Sequence, residues 1–390
     1  MKILLFTNSL AGGGAERVVA TLANFWAGRH WDVTVLTLAP HSEDFYVLDS
    51  RVRRIALDRA GESRNALHGL LQNLGRVLAL RRTLRQLRPD LAVAIMSTPN
   101  VLLALAACGL PWLRTVGSER CYPPHAPLGR LWQGLRRRSY GRLDAVVALT
   151  SECAAWITEH TFAHRVPVIP NPTSWPLPVR PPVLAPQAVC APGRRLLLAV
   201  GRLEPVKNFA TLVAVFARLA PRHADWDLVI LGAGPERAAL EAAVRAAGLE
   251  GRIALPGIAG NVGEWYARAD LFVMSSHSEG FPNALAEALA HGLPAVSFDC
   301  NTGPRDIIRQ GVDGLLVPAG DSEALAHALG RVMGDDGLRQ ALAARAGEAR
   351  ERFSLEKIAG MWESLFRQLS GAPVSATTRR ARAHEDTHEA

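Results

Sequence analysis

Short runs that are apolar at nearly every position alternate with longer stretches of helical period, and the alternation happens twice along the chain. In the first half the apolar runs are Ile3–Thr7, Val33–Leu38, Leu91–Met96, Leu113–Val116 and Ala145–Leu149. Helical stretches lie between them at Glu16–Trp26, Leu67–Leu87 and Leu128–Tyr140. A strand without a polar face is expected where helices cover both sides of a parallel sheet. Strand–helix alternation of this length predicts a doubly wound α/β domain. The second half repeats it, with strands expected at Leu196–Val200, Leu228–Leu231, Ile253–Leu255, Leu271–Met274 and Ala295–Phe298. Helices are expected there at Phe209–Leu219, Glu236–Ala247, Ala284–Ala290 and Glu323–Met333.

Between the halves, residues 171–192 hold seven prolines. Proline fixes its backbone angle and lacks a donor, so this run cannot continue a sheet or a helix. The expected organisation is a first domain over residues 1–175, a linker over 176–194 and a second domain over 195–353. A C-terminal helix over 354–370 follows, then a disordered tail over 371–390 that has no apolar period. Two such sheets facing each other offer a ligand cleft at the carboxyl ends of their strands.

At 390 residues the chain suits two domains. The net charge of +8 is uneven: residues 1–175 carry +9 and the remainder −1. A basic half can face phosphates, a nucleic acid or an anionic membrane. Its arginines are spread over several helices without interleaved aromatics, which argues against nucleic acid. The five cysteines are widely spaced with no CxxC pair, so neither a disulfide framework nor a zinc site is expected, and a cytoplasmic setting fits. The opening MKILLFTNSL reads as a first strand rather than a signal peptide. The uncharged stretch Leu91–Trp112 contains Pro99, Asn100 and Pro111, and reads as a buried strand and helix rather than a membrane span.

Two strand exits in the second half carry chemistry. After the strand ending at Met274 come Glu279, Gly280, Phe281, Pro282 and Asn283, and then a short helix bearing Glu287. Proline suits the first turn of a helix, whose free amides make an anion site. Carboxylates accept from sugar hydroxyls. By spacing alone, the pair equally suits two solvated glutamates. After the strand ending at Val200 come Gly201, Arg202, Lys207 and Asn208. Two cations in such a loop can hold a diphosphate, Arg through its fork and Lys as a point charge. They are also ordinary surface residues in most loops. In the first half, the glycine run Gly12–Gly14 ahead of a helix permits close backbone approach to a ligand. It does not match GxGxxG, and a flexible loop would explain it too.

Taken together, Gly201-Arg202-Leu203 with Lys207-Asn208, Glu279-Gly280-Phe281-Pro282-Asn283 with Glu287, and the opening Gly12-Gly13-Gly14-Ala15-Glu16-Arg17 resemble glycosyltransferase family four. That resemblance covers residues 1–370, and Asp299–Ile308 looks like the branch that builds bacterial surface polysaccharides, lipopolysaccharide and lipid-linked glycans. It implies the GT-B fold, two Rossmann-like domains facing a cleft, and a retaining transfer of a hexose or N-acetylhexosamine. A nucleotide-sugar, UDP by family habit, serves as co-substrate, with no cofactor and no metal. The first domain would bind a glycan or polyprenyl-linked glycan acceptor at the inner face of a membrane. Arg202 and Lys207 would bind the donor diphosphate, Glu279 the donor sugar and Glu287 the ribose. The amides near Phe281–Asn283 would meet sugar or phosphate, with Gly201, Gly280 and Asn208 shaping the site. On the acceptor side the resemblance points to Gly13 and Gly14. Where many members carry a histidine after Thr115–Ser118, this chain has Glu119 and Arg120, and His125 stands nearby as a replacement. Competing readings are a GT-B nucleotide-sugar epimerase, a phosphorylase, and a sugar-nucleotide-binding protein without turnover.

Overall fold

The computed structural model describes residues 1–61 and 66–371. The expected tail, apart from Gly371, lies outside them. In the first half the strands are β1 (Lys2–Thr7), β2 (Asp32–Thr37), β3 (Arg53–Ala56), β4 (Leu91–Ile95), β5 (Arg114–Ser118) and β6 (Ala145–Val147). They form one parallel sheet in the order β3-β2-β1-β4-β5-β6. The second half contributes β7 (Arg195–Val200), β8 (Trp226–Leu231), β9 (Ile253–Gly257), β10 (Leu271–Met274), β11 (Ala295–Asp299) and β12 (Gly314–Pro318). Their order, β12-β11-β10-β7-β8-β9, is the same topology read from the other edge.

The apolar runs sit where they were expected because both faces of each sheet are covered. Ile3 to Phe6 and Leu91 to Ile95 are buried throughout. The two strands that escape the sequence pattern, β3 and β12, are both sheet edges. An edge strand packs on one neighbour only, so β3 can read Arg-Arg-Ile-Ala and β12 can begin with glycine and end with proline. The proline-rich linker is tied to the second half: the Leu184 amide donates to Asn261 Oδ1 at 3.0 Å, and the Leu184 carbonyl accepts from Trp265 Nε1 at 2.9 Å.

In each sheet the strand order reverses once, between β1 and β4 and between β7 and β10. Ligands of open α/β sheets bind outside the carboxyl ends of the strands at such switch points. Here the two switch points face one another. The C-terminal helix Leu355–Leu369 crosses back to the first half. Its Ile358, Trp362 and Phe366 are buried among Ile3, Trp26 and Val33, and Phe366 lies 5.5 Å from the Trp26 ring. Removing a side chain such as Phe366 from water is worth about 1.5–3 kcal/mol, enough to fix where this helix docks.

Candidate active site

A cavity of about 690 Å³ opens between the two sets of strand exits. The first half contributes Gly12–Arg17 after β1, Met96 after β4, and Arg120 and Cys121 after β5. The second contributes Gly201, Arg202 and Lys207 after β7 and the segment from Ser275 to Glu287 after β10. Residues 120 and 280 are brought together here although far apart in sequence.

On the second-half wall, Lys207 Nζ donates to Glu279 Oε1 at 2.5 Å, and Ser276 Oγ donates to the same oxygen at 2.7 Å. The Glu279 loop is held from behind: the Thr302 amide donates to the Glu279 carbonyl at 2.9 Å and Thr302 Oγ1 to the Gly280 carbonyl at 3.0 Å. Arg202 is the freer cation. Its side chain is 75% exposed and pairs with Glu204 at 2.7 Å. The helix Asn283–Ala290 begins at the cavity, and the amides of Asn283 and Ala284 have no backbone partner among the described residues. Such amides, at the positive end of the helix, suit an anion. The Phe281 ring is buried against Phe353, so only the backbone of this residue is available to a ligand.

Glu287 projects from the same helix. Its Oε1 accepts from Arg17 Nη2 at 2.6 Å and its Oε2 from the Tyr266 hydroxyl at 3.2 Å. Arg17 belongs to the other half of the molecule. A second bridge runs from Arg120 Nη1 to Asn171 Oδ1 at 2.6 Å, and from Asn171 Nδ2 to Asn283 Oδ1 at 3.0 Å. Burial lowers the Arg120 pKa to about 10, so it remains cationic at neutral pH. Its Nε and Nη2 are buried without a hydrogen-bond partner among the described residues, and the guanidinium lies 5.9 Å from the Trp362 ring. Cys121 also lines the cavity, but burial pushes its thiol up to about 11, leaving little thiolate to act as a nucleophile.

Gly280 has a steric reason to be glycine. A Cβ on Gly280 would lie 2.4 Å from the Arg120 carbonyl oxygen, so the halves touch backbone to backbone there. A Cβ on Gly13 would lie 2.2 Å from Oε2 of Glu16, the end of a flexible side chain that can turn away, so contact alone does not require glycine there.

Twelve of the fifteen residues expected from the sequence line the cavity: Gly13, Gly14, Arg120, Gly201, Arg202, Lys207, Glu279, Gly280, Phe281, Pro282, Asn283 and Glu287. Three lie elsewhere. Glu119 is buried inside the first half, where it accepts from Ser97 Oγ at 2.6 Å and from the Tyr140 hydroxyl at 2.5 Å. Burial raises its pKa, with both hydroxyls opposing that shift. Successive residues leaving an extended strand point to opposite sides, so Arg120 and Glu119 cannot both face the cleft. Asn208 is one step behind the site. It takes the left-handed conformation at φ 55° ahead of the helix Phe209–Leu219, and its Oδ1 accepts from Thr211. His125 stands on the outer rim, its Nδ1 2.5 Å from Ser278 Oγ of the other half.

Arg17, Tyr46 and Asn171 line the cavity and were not singled out as site residues in the sequence. Arg17 did leave a signal. A cation one turn into a helix opposes the helix dipole, and such a residue needs a reason from outside the helix.

Comparison with known proteins bears on the family and the fold. A model of glycosyltransferase family 4 matches residues 12–174, and a model of glycosyl transferases group 1 matches residues 194–335. The chain is 33% identical to an exopolysaccharide phosphotransferase of Streptomyces coelicolor over 92% of its own length, and spans 39% of that relative. It is 28% identical, over 95% of its length and 100% of the relative, to a Campylobacter jejuni enzyme. That enzyme is the GalNAc-α-(1→4)-GalNAc-α-(1→3)-diNAcBac-PP-undecaprenol α-1,4-N-acetyl-D-galactosaminyltransferase. Among solved structures, Anabaena HepE in complex with UDP superposes with a TM-score of 0.77 at 21% identity, covering 94% of this chain and 100% of that one.

Proposed function

Because the chain belongs to glycosyltransferase family 4 and has the GT-B fold, we propose that this transferase moves a hexose or N-acetylhexosamine from a UDP-sugar to a lipid-linked glycan, with retention at the anomeric carbon. The observation that carries the reading is the convergence of Arg202, Lys207, Glu279 and Glu287 on one cavity at two facing switch points. Arg202 and Lys207 hold the donor diphosphate, the free amides of Asn283 and Ala284 meet phosphate or sugar, Glu279 accepts from the donor sugar and Glu287 from the ribose. The acceptor enters past Gly13, Gly14 and Arg120.

In the reaction the acceptor oxygen bonds to the anomeric carbon from the side the diphosphate leaves. The carbon–oxygen bond to the diphosphate breaks, and the acceptor proton passes to the departing phosphate oxygen. No protein nucleophile is required. Catalysis lies in stabilising the charge that grows on the leaving group, which cations placed at the diphosphate do well. Lys207 donates to Glu279, and a donor diphosphate competes with that carboxylate for it. No metal takes part in this scheme, since Arg202 and Lys207 supply the positive charge. A UDP-bound neighbour supports the nucleotide, and the undecaprenol diphosphate in the Campylobacter enzyme's name supports the acceptor class.

The enzyme works at a membrane surface. Among the described residues no helix is long and apolar enough to cross a membrane. The helix Ala66–Leu87 nevertheless exposes Leu70, Leu71, Leu74 and Leu78, followed by exposed Arg82 and Arg85. Leu71, Leu74, Leu78, Arg82 and Arg85 recur at helical spacing along one face. An apolar row continued by a basic one suits the boundary between acyl chains and anionic head groups, where each cation contributes about 1 kcal/mol.

A donor screen tests the function: purified enzyme, a panel of nucleotide-sugars and a bacterial membrane lipid extract, with release of nucleoside diphosphate measured. Extract-dependent release of UDP is expected. Release from no donor, or equal release with a free soluble sugar in place of the extract, overturns the reading.

A further inference from the structure

Arg17 sits in the opening turn of the helix Gly14–Gly28, where the unpaired amides favour an anion rather than a cation. Neither an N-cap side chain nor a nearby acidic group of its own helix engages it. Its partner is Glu287, 270 residues away, at 2.6 Å. The Glu287 side chain is 8% exposed and that of Arg17 38%. The carboxylate raises the Arg17 pKa against the opposing effect of burial. Glu287 is held on its second oxygen by the Tyr266 hydroxyl, and the Tyr266 ring lies 5.3 Å from His291, whose Nδ1 contacts the Glu287 carbonyl at 2.7 Å. A carboxylate has about four lone-pair positions, so one donor on each oxygen leaves two acceptor sites. A ribose presents two neighbouring hydroxyls. Arg17 and Glu287 both line the cavity.

We propose that Arg17 is a positioning residue of the nucleotide site: from the opposite half of the molecule it orients Glu287 so that the two remaining acceptor sites face the ribose hydroxyls. The first half, assigned above to the acceptor, thereby takes part in reading the donor nucleotide. The inference rests on the reading of Glu287 as the ribose carboxylate. Without Arg17 the carboxylate keeps one tether, and can turn about its own side-chain bonds away from the geometry a vicinal diol needs. Tyr266 restrains one oxygen only. The guanidinium does not have to touch the nucleotide for this role.

The test compares ribo- and 2′-deoxy-nucleoside diphosphates. Affinities of UDP and dUDP, and of GDP and dGDP, are measured by calorimetry on the wild type, Arg17→Ala, Arg17→Lys and Glu287→Gln, and the pair that binds the wild type is used. Hydrogen bonds to charged groups predict a wild-type preference for the ribonucleotide of about 10-fold or more. Glu287→Gln should reduce it to within about threefold. Arg17→Ala should do the same while leaving affinity for the deoxynucleotide within about threefold of wild type. Arg17→Lys, which offers a point charge in place of a fork, should restore part of the preference. A melting curve confirms that each variant is folded, and Arg17→Gln replaces Arg17→Ala if the latter is not.

Equal weakening of both nucleotides by Arg17→Ala would mean that Arg17 binds phosphate, and would overturn the proposal. So would an unchanged preference accompanied only by a lower melting temperature, which is what a purely structural bridge predicts. If Glu287→Gln keeps the full preference, or no nucleotide binds the wild type, the donor-site reading itself fails and the proposal with it. If Glu287→Gln loses the preference and Arg17→Ala keeps it, the proposal alone fails.

Discussion

Gly280 is the position where the smallest change should do the most damage. Its backbone φ is not positive, so alanine there meets no backbone strain. The cost is contact. A Cβ at this position would lie 2.4 Å from the Arg120 carbonyl oxygen and 3.2 Å from Cys121 Cα, whereas ordinary contact begins at 3.4 Å. Both neighbours are backbone and cannot rotate away. The loop or the facing strand exit must therefore move by about 1 Å, the shortfall between 2.4 and 3.4 Å. That displacement falls on the segment carrying Glu279 and the free amides of Asn283 and Ala284, opposite Lys207 and Arg202. A misplacement of about 1 Å in a catalytic constellation can cost roughly 100-fold in rate, and overpacking costs about 1–3 kcal/mol in stability. Gly280→Ala should thus lower kcat/KM by about 100-fold in a protein that is still folded at assay temperature. The assay is steady-state release of nucleoside diphosphate, with melting temperature measured in parallel. Gly360→Ala is the control. It lies within the helix Leu355–Leu369 with nothing within 4 Å of its added Cβ, so activity should be unchanged and stability higher by about 0.5–1 kcal/mol. Turnover of Gly280→Ala within threefold of wild type, with an unchanged melting temperature, would refute the argument that backbone contact between the halves sets the donor loop.

Arg202→Ala and Lys207→Ala should each lower turnover by about 100-fold or more, because each removes a group proposed to stabilise the leaving diphosphate; normal turnover in a folded double variant would show that neither does. Chelation with EDTA should leave activity unchanged, and activity that is lost on chelation and restored by manganese or magnesium would move the charge work onto a metal. Wild-type protein should bind anionic liposomes, release from them as salt rises, and bind less when Leu71, Leu74 and Leu78 are all changed to Gln; equal partition to neutral and anionic vesicles would remove the electrostatic half of the argument, and undiminished binding of the triple variant the apolar half.

Most of the sheet architecture was legible before any coordinates. A strand buried on both faces must be apolar throughout, so ten of the twelve strands could be recognised as such. The strands that were missed, β3 and β12, are edges, where one missing neighbour relaxes the demand for apolar residues. The segments proposed to bind the donor stand out in the sequence because a strand exit confines its chemistry to a few consecutive residues. Arg202 and Lys207 lie in one such loop, Glu279 in another, and Glu287 in the helix that follows it.

What the sequence could not settle is which residues meet across the cleft and which way each points. Glu119 and Arg120 are neighbours in the chain and formally equal candidates. The pleat sends one into a buried cluster with Ser97 and Tyr140 and the other to the cavity. Arg17 left a signal as a cation one turn into a helix, but its pairing with Glu287 depends on how the two sheets face each other. The helix Leu355–Leu369 had a clear apolar period, yet nothing local told that its Trp362 and Phe366 would complete the core of the first half. Local pattern determined the elements and the chemistry at each strand exit, because those depend on residues near in sequence. Only the tertiary structure decided the partners, because burial and opposite charge act between surfaces that the chain brings together after it has folded back on itself.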